Sequence, residues 1–450
     1  MKSKHSTRDM SYMEADNKTI FGWAMYDWAN SAYMTTIAVA VLPMYFASVV
    51  VPAEGLMIGN TIYAAETLWG FMISAAAFLV FLMAPTLGAI ADYRSSKKQF
   101  LLFFCYLGVS ASLFLSFCGK GEVYQTIFLF ILSQIGFVGA NVFYDAFLPQ
   151  IAPAGTEDKI SSKGFAYGYA GGGIQFACVL ILISCHDFFG LSQSGAARIG
   201  MLSAALWWGL FTLFTAYYLR ESKVSLKLPA RFTSSTKGTK GINYLLLGIS
   251  RVWKTIGQVK QRQHLALFLL AFLVYNEGIQ TVIQMATIYG KQELHFSATT
   301  LMLTLLLVQI VAVFGALIFG WLAKRIGTKR AVMSSLVIWG MVVIYAYHIH
   351  SPTEYFILGA VVGLVLGGSQ AISRSLYASM IPMDSPAEYF GFYSIVNKFS
   401  AVWGPFIFAL IRHWTGSSRN AILSIIIFFI LGIILLFFVN EDKAREGRQT

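Results

Sequence analysis

The sequence predicts an all-α polytopic membrane protein of twelve transmembrane helices arranged as two pseudo-symmetric six-helix halves. Three observations predict it. Of the 450 residues, 57% are hydrophobic and only 12% charged, where an ordinary soluble domain carries about 25% charged residues. Apolar stretches of about 20 residues, long enough to cross the hydrocarbon core as helices, recur from end to end. A basic linker divides these stretches six and six, and the two sets repeat each other's landmarks. The mean hydropathy of +0.64 and the 37 Phe, 22 Tyr and 10 Trp agree with lipid as the solvent.

In order, the spans fall at roughly 20–50, 63–91, 97–118, 122–149, 162–187 and 199–220, then 264–290, 297–325, 328–349, 353–382, 386–415 and 419–440. The chain therefore divides into a tail (1–19), a first half (20–220), a linker (221–263), a second half (264–440) and a closing tail (441–450). Met1 to Thr19 is polar and lacks the short apolar run and cleavage site of a signal peptide, so the first span is expected to stay in the mature protein. Of the 33 Lys and Arg, five (Lys120, Arg198, Lys291, Arg412 and Arg419) fall in one set of loops. Arg374 and Lys398 lie within spans, and the remainder crowd the opposite side. By the positive-inside rule both termini are cytoplasmic, and a bacterial inner membrane is the expected location.

The linker is basic, with Glu221 its one acid between Arg220 and Arg262. Its first half reads as flexible. In its second half Ile242, Leu245, Leu246, Ile249, Val252, Trp253, Ile256 and Val259 keep helical spacing, which predicts an amphipathic helix at the membrane surface. The net charge of +12 is confined to such loops and does not point to nucleic acid. Cys105, Cys118, Cys178 and Cys185 have no paired spacing and the seven His no ligand spacing, so neither disulfide, metal nor cofactor is expected. No clustered nucleophile marks an enzyme. Ser385-Pro386-Ala387-Glu388 reads as a capping box that opens the eleventh span, and Gly171-Gly172-Gly173 as a tight helix contact.

The costly residues are the polar ones at membrane depth. A carboxylate there costs at least about 2.5–3.5 kcal/mol, so a mere anchor would avoid it. Asp27 and Asn30 lie three apart, on one helix face, and that face is expected to look into a polar cavity. The seventh span repeats the device in Glu277 and Gln280. Two readings stand for Asp27 and Glu277: proton coupling or substrate binding, and permanent pairing with Arg374 or Lys398. Arg374 in turn suits a substrate carboxylate or an internal acid, and Lys398, beside Asn397, has the same two options. Asp145 lies one turn from the cytoplasmic end of the fourth span, where a gate or interhelical bond is favoured. Gln309 and Gln370 are expected cavity liners, with Tyr26, Tyr33, Tyr275 and Trp403 as aromatic candidates.

The two halves echo each other closely. Gly88 to Lys98 (GAIADYRSSKK) after the second span matches Gly320 to Arg330 (GWLAKRIGTKR) after the eighth. Leu148-Pro149 ends the fourth span as Ile381-Pro382 ends the tenth, and YDWAN (Tyr26–Asn30) is matched by YNEGIQ (Tyr275–Gln280). Such duplication is a transporter signature, with substrate near the midplane. Gly88-x-x-x-Asp92-x-x-x-x-Lys97-Lys98 resembles the loop motif of the major facilitator superfamily. That resemblance implies a cytoplasmic latch made by Gly88, Asp92, Lys97 and Lys98; the second copy departs from it, with Lys324 at the acid's place.

YDWANSAY (Tyr26–Tyr33), FYDAFLP (Phe143–Pro149), SSKGFAYGYAGGG (Ser161–Gly173), FLVYNEGIQT (Phe272–Thr281), GGSQAISRSLYASMIP (Gly367–Pro382) and EYFGFYSIVNKFSAVWGP (Glu388–Pro405) are similar to one branch of that superfamily. The branch is the vacuole-effluxer-like, autophagy-related amino-acid effluxer family. Glu277 departs from it, standing where the family is expected to carry Asp. The resemblance implies a secondary transporter, with amino-acid export the best-known family activity.

The expectation is proton-linked alternating access for a small polar solute, an amino acid or similar zwitterion, by a monomer in the lipid bilayer. A transporter of another solute class (siderophore, sugar, nucleoside or drug) and a transport-inactive sensor or scaffold are the alternatives.

Overall fold

The computed structural model describes residues 17–63, 96–153, 155–221, 261–383, 385–400 and 403–446, with scattered positions within 65–79 and 257–259. Before the linker come α1 (Asn17–Val50), α2 (Lys97–Leu115), α3 (Val123–Ile151), α4 (Glu157–Ser184) and α5 (Gln193–Tyr218). After it come α6 (Gln263–Gln292), α7 (Ala298–Ile326), α8 (Thr328–His348), α9 (Pro352–Met380), α10 (Pro386–Phe399), α11 (Trp403–Thr415) and α12 (Ser418–Phe437). A short α13 (Glu441–Glu446) follows. Phe103, Phe114, Phe128, Trp321 and Phe437 point outward and exposed, the arrangement of a bundle solvated by lipid tails.

Among the described residues, 10 helices are long and apolar enough to cross a membrane. The expected second span, with Gly88 and Asp92 beside it, lies almost wholly outside the described residues, as does most of the linker helix expected over 242–259. The eleventh span, expected as one helix over 386–415, is described as α10, which ends at Phe399, and α11, with residues 401 and 402 between them outside the described residues. The capping box expected at Ser385 does not form, because its side chain makes no cap bond. A complete one forms at Ser351–Glu354, ahead of Pro352.

Two further features were not anticipated. The backbone of α1 is an α-helix to Ala32 and widens to π over Tyr33–Val41. One α turn at Leu42–Tyr45, containing Pro43, follows before it widens again over Phe46–Val50. Leu56–Ile58 and Thr61–Tyr63 then pair as an antiparallel hairpin, turned by Gly59 at φ +60°, a conformation glycine adopts without strain.

The helix that organises the molecule is α4, which packs on α1 of its own half and on α7 and α9 of the other. The glycine run permits this. A Cβ at Gly171 would lie 2.4 Å from the Trp28 carbonyl oxygen, whereas one at Gly173 would face the Gln309 side chain at 3.3 Å. The small residues thus let two backbones approach on two sides, as expected in lipid. A second contact between the halves is made by α3 against α10.

Candidate functional site

Four helices converge on one guanidinium. Arg374, in the last third of α9, is 2% exposed. Its Nη1 donates to Asp145 Oδ1 of α3 at 3.0 Å and to Asp27 Oδ2 of α1 at 3.4 Å. Its Nε donates to Ser161 Oγ and its Nη2 to the Ser161 carbonyl of α4, both at 3.0 Å. The ring of Phe165 lies 4.1 Å from the guanidinium carbon, Trp23 4.9 Å and Tyr144 5.5 Å. Every one of these partners belongs to the first half, and the arginine belongs to the second.

The surroundings are themselves fixed. Tyr144 donates its hydroxyl to Asp27 Oδ2 at 2.6 Å, while its carbonyl accepts Trp23 Nε1 at 2.9 Å and its ring stacks on Trp23. The Ser161 hydroxyl donates a hydrogen bond to the Ala371 carbonyl at 2.7 Å. Two carboxylates therefore meet one cation inside a helical bundle. Removing one partner from such a pair leaves an uncompensated buried charge, at about 3–5 kcal/mol.

Other bonds tie the halves nearby. Asp158, in the first turn of α4, accepts from Thr328 Oγ1 at 2.8 Å and also from Ser375. Tyr169 donates to Gln370 Oε1 at 2.5 Å, and Gln309 Nε2 donates to Thr35 Oγ1 at 3.0 Å. Gln309 and Gln370 thus sit at the contact between halves.

The remaining expected residues separate into distinct places. Asn30 donates to Asn141 Oδ1 on α3 at 2.8 Å, so its face with Asp27 is turned toward α3. Both residues are buried. Tyr33 bonds Ser133 and Tyr275 bonds Ser373, each at 2.7 Å, whereas Tyr26 is fully buried with its hydroxyl unbonded. Trp403 is 61% exposed. Glu277 lies elsewhere than the arginine: its Oε1 accepts the N–H of Gly404 at 2.5 Å, in the first turn of α11, where a helix offers open N–H groups and positive dipole. Asn397 accepts from Asn276 at 2.8 Å. Gln280 is partly buried in α6, and the Lys398 side chain lies outside the described residues.

Of the latch residues, Lys97 and Lys98 open α2. Their N–H groups donate to Glu221 Oε1 at 2.9 Å and Oε2 at 3.1 Å, and Lys98 Nζ reaches the Leu219 carbonyl at 2.7 Å. The second half repeats the arrangement. Lys329 donates its N–H to Glu441 Oε1 at 2.9 Å and its Nζ to the carbonyls of Phe437 at 2.9 Å and Val439 at 2.6 Å. Each carboxylate thereby caps a helix start and holds it to a helix end.

Sequence reasoning did not assign Trp23, Tyr144, Ser161 and Phe165 to a site, or Asp158, Asn276, Glu221 and Glu441. The repeat of Leu219-Arg220-Glu221 in Val439-Asn440-Glu441 was an available signal for the last two.

Two related helical halves packed on each other form a membrane bundle of the major facilitator type. A proton:xylose symporter bound to 6-bromo-6-deoxy-D-glucose shares the fold, with TM-score 0.66 over 95% of this chain and 96% of that one at 14% identity. A bacterial homologue of the iron transporter ferroportin in an outward-facing state gives 0.62 over 93% and 98% at 12% identity. The sequence narrows the class. The family described as vacuole effluxer Atg22 like matches residues 15–449, and the chain belongs to that family. Its relatives include YxiO of Bacillus subtilis (strain 168), an uncharacterized MFS-type transporter, 34% identical over 95% of this chain and 96% of that protein. Autophagy-related protein 22 of Coccidioides immitis (strain RS) is 24% identical over 98% and 82% respectively.

Proposed function

We propose that this transporter moves a small polar solute carrying both a cation and a carboxylate, an amino acid or similar zwitterion, by proton-linked alternating access. The observation that carries the reading is Arg374, a cation of the second half whose acid partners, Asp27 and Asp145, both belong to the first. A charge bridge between two bodies favours one arrangement of them, and a solute or proton that weakens it favours the other. The moving units are the halves over 20–220 and 264–440. On the positive-inside reading the bridged end faces the cytoplasm of a bacterial inner membrane, the side on which the motif of Gly88, Asp92, Lys97 and Lys98 falls in the sequence. The protein works as a monomer in the bilayer.

Asp27 is the residue through which a proton would act, since neutralising it leaves Arg374 a weaker hold. Asp27→Asn is expected to abolish or uncouple transport of a labelled amino-acid mixture in liposomes while the protein still folds and inserts. Normal proton-coupled uptake by the Asp27→Asn protein would sink the reading.

A further inference from the structure

The receptor around Arg374 has the chemistry of a site for a free organic cation. It presents two carboxylates, two oxygens of one serine and three aromatic faces, all from α1, α3 and α4. Aromatic faces stabilise desolvated cations, guanidinium above all. The planar fork is matched along two edges: Ser161 takes Nε and Nη2, and the acids take Nη1. The occupant, however, arrives from the other half on α9. Any motion that parts α9 from α3 and α4 withdraws it, and leaves two carboxylates in a buried aromatic box. Buried charge without a partner is costly, so protonation of the acids or entry of another cation is favoured there.

We propose that this box binds the cationic end, a guanidinium or primary ammonium, of the transported solute, with Arg374 as the tethered occupant that the solute displaces. The displaced guanidinium then offers its fork to the solute's carboxylate. The role in transport rests on the alternating-access reading above; the binding itself does not.

The test empties the box. Full-length Arg374→Ala protein in nanodiscs is titrated with methylguanidinium, with tetramethylammonium, which has no N–H to donate, as the control at equal ionic strength. Unfolding temperature is the readout. Methylguanidinium is expected to raise it by a few degrees where tetramethylammonium does not, and to lose that effect when Asp27→Asn and Asp145→Asn are added. Equal shifts with both cations, no shift with either, or a shift that survives neutralisation of both acids would overturn the proposal. Should Arg374→Ala not fold unaided, monodisperse protein recovered with methylguanidinium but not with tetramethylammonium supports it, and aggregation in both counts against it. A box that binds the probe in a protein that transports nothing would overturn only the transport reading. Proton-coupled amino-acid uptake with a silent box would do the reverse.

Discussion

Arg374 shows how one residue's cost is converted into an arrangement. Its guanidinium is compensated twice over by acids that would be equally costly without it, so the three charges stand or fall together. Arg374→Met leaves the carboxylates of buried Asp27 and half-buried Asp145 without their cation and is expected to cost about 3–5 kcal/mol at most. Adding Asp27→Asn and Asp145→Asn should recover most of that. Equal unfolding temperatures for the single and triple variants would show that charge is not what holds the contact. Glu277 differs in that one of its carboxylate oxygens accepts a backbone N–H. Glu277→Ala should cost about 1.5–3 kcal/mol, the range for a bond to a charged group, and Glu277→Gln should cost less because the amide oxygen still accepts. An unchanged melt for Glu277→Ala would rule out the cap. In the sequence the charged members of these sites were conspicuous, since Asp27, Asp145, Glu277 and Arg374 are rare residue types at membrane depth. Ser161, Tyr144, Trp23 and Phe165 were not, because serine and aromatic residues are ordinary in lipid-facing and packed helices alike.

At the scale of elements, the repeat between halves proves asymmetric where it matters. Counting back from Pro149 and Pro382, Tyr144 corresponds to Tyr377, both fully buried, and Asn141 corresponds to Arg374. The first half keeps a neutral amide bonded to Asn30 at the position where the second half projects its cation. The helix contacts were partly legible. The glycine run announced close packing, and the structure adds that successive glycines serve different neighbours. Gly171→Ala should therefore lower the unfolding temperature well below that of Gly173→Ala, since the added methyl meets a backbone oxygen at 2.4 Å in one case and a side-chain carbon at 3.3 Å in the other. Similar losses would mean that α1 and α4 yield as readily as the half-to-half contact. The end of α10 at Phe399 was hidden because the apolar pattern continues past it. The π turns of α1 have no periodic signature at all.

For the whole molecule, the helical membrane-spanning class was readable from hydropathy, because lipid demands long apolar helices. Which face of the bundle is closed was not readable, since one sequence has to serve every state of a transporter. The inter-half contact at Gly173 and Gln309 offers a direct test of relative motion: a Cβ at Gly173 would lie 3.3 Å from that of Gln309, near the spacing of a disulfide. In a background without the four native cysteines, Gly173→Cys/Gln309→Cys should oxidise readily, block transport and release it on reduction, with each single variant active. Full transport by the oxidised protein would mean that the halves do not part there. The paired carboxylate caps at Glu221 and Glu441 carry a consequence of another kind, for biosynthesis. Lys97 and Glu221 are separated by 124 positions, and Lys329 and Glu441 by 112. The first turn of α2 leaves the ribosome long before the acid that completes it, and the first turn of α8 likewise. Neither helix start can be sealed until the last helix of its own half has been made, so each cap works as an end-of-assembly check, closing only around a finished half.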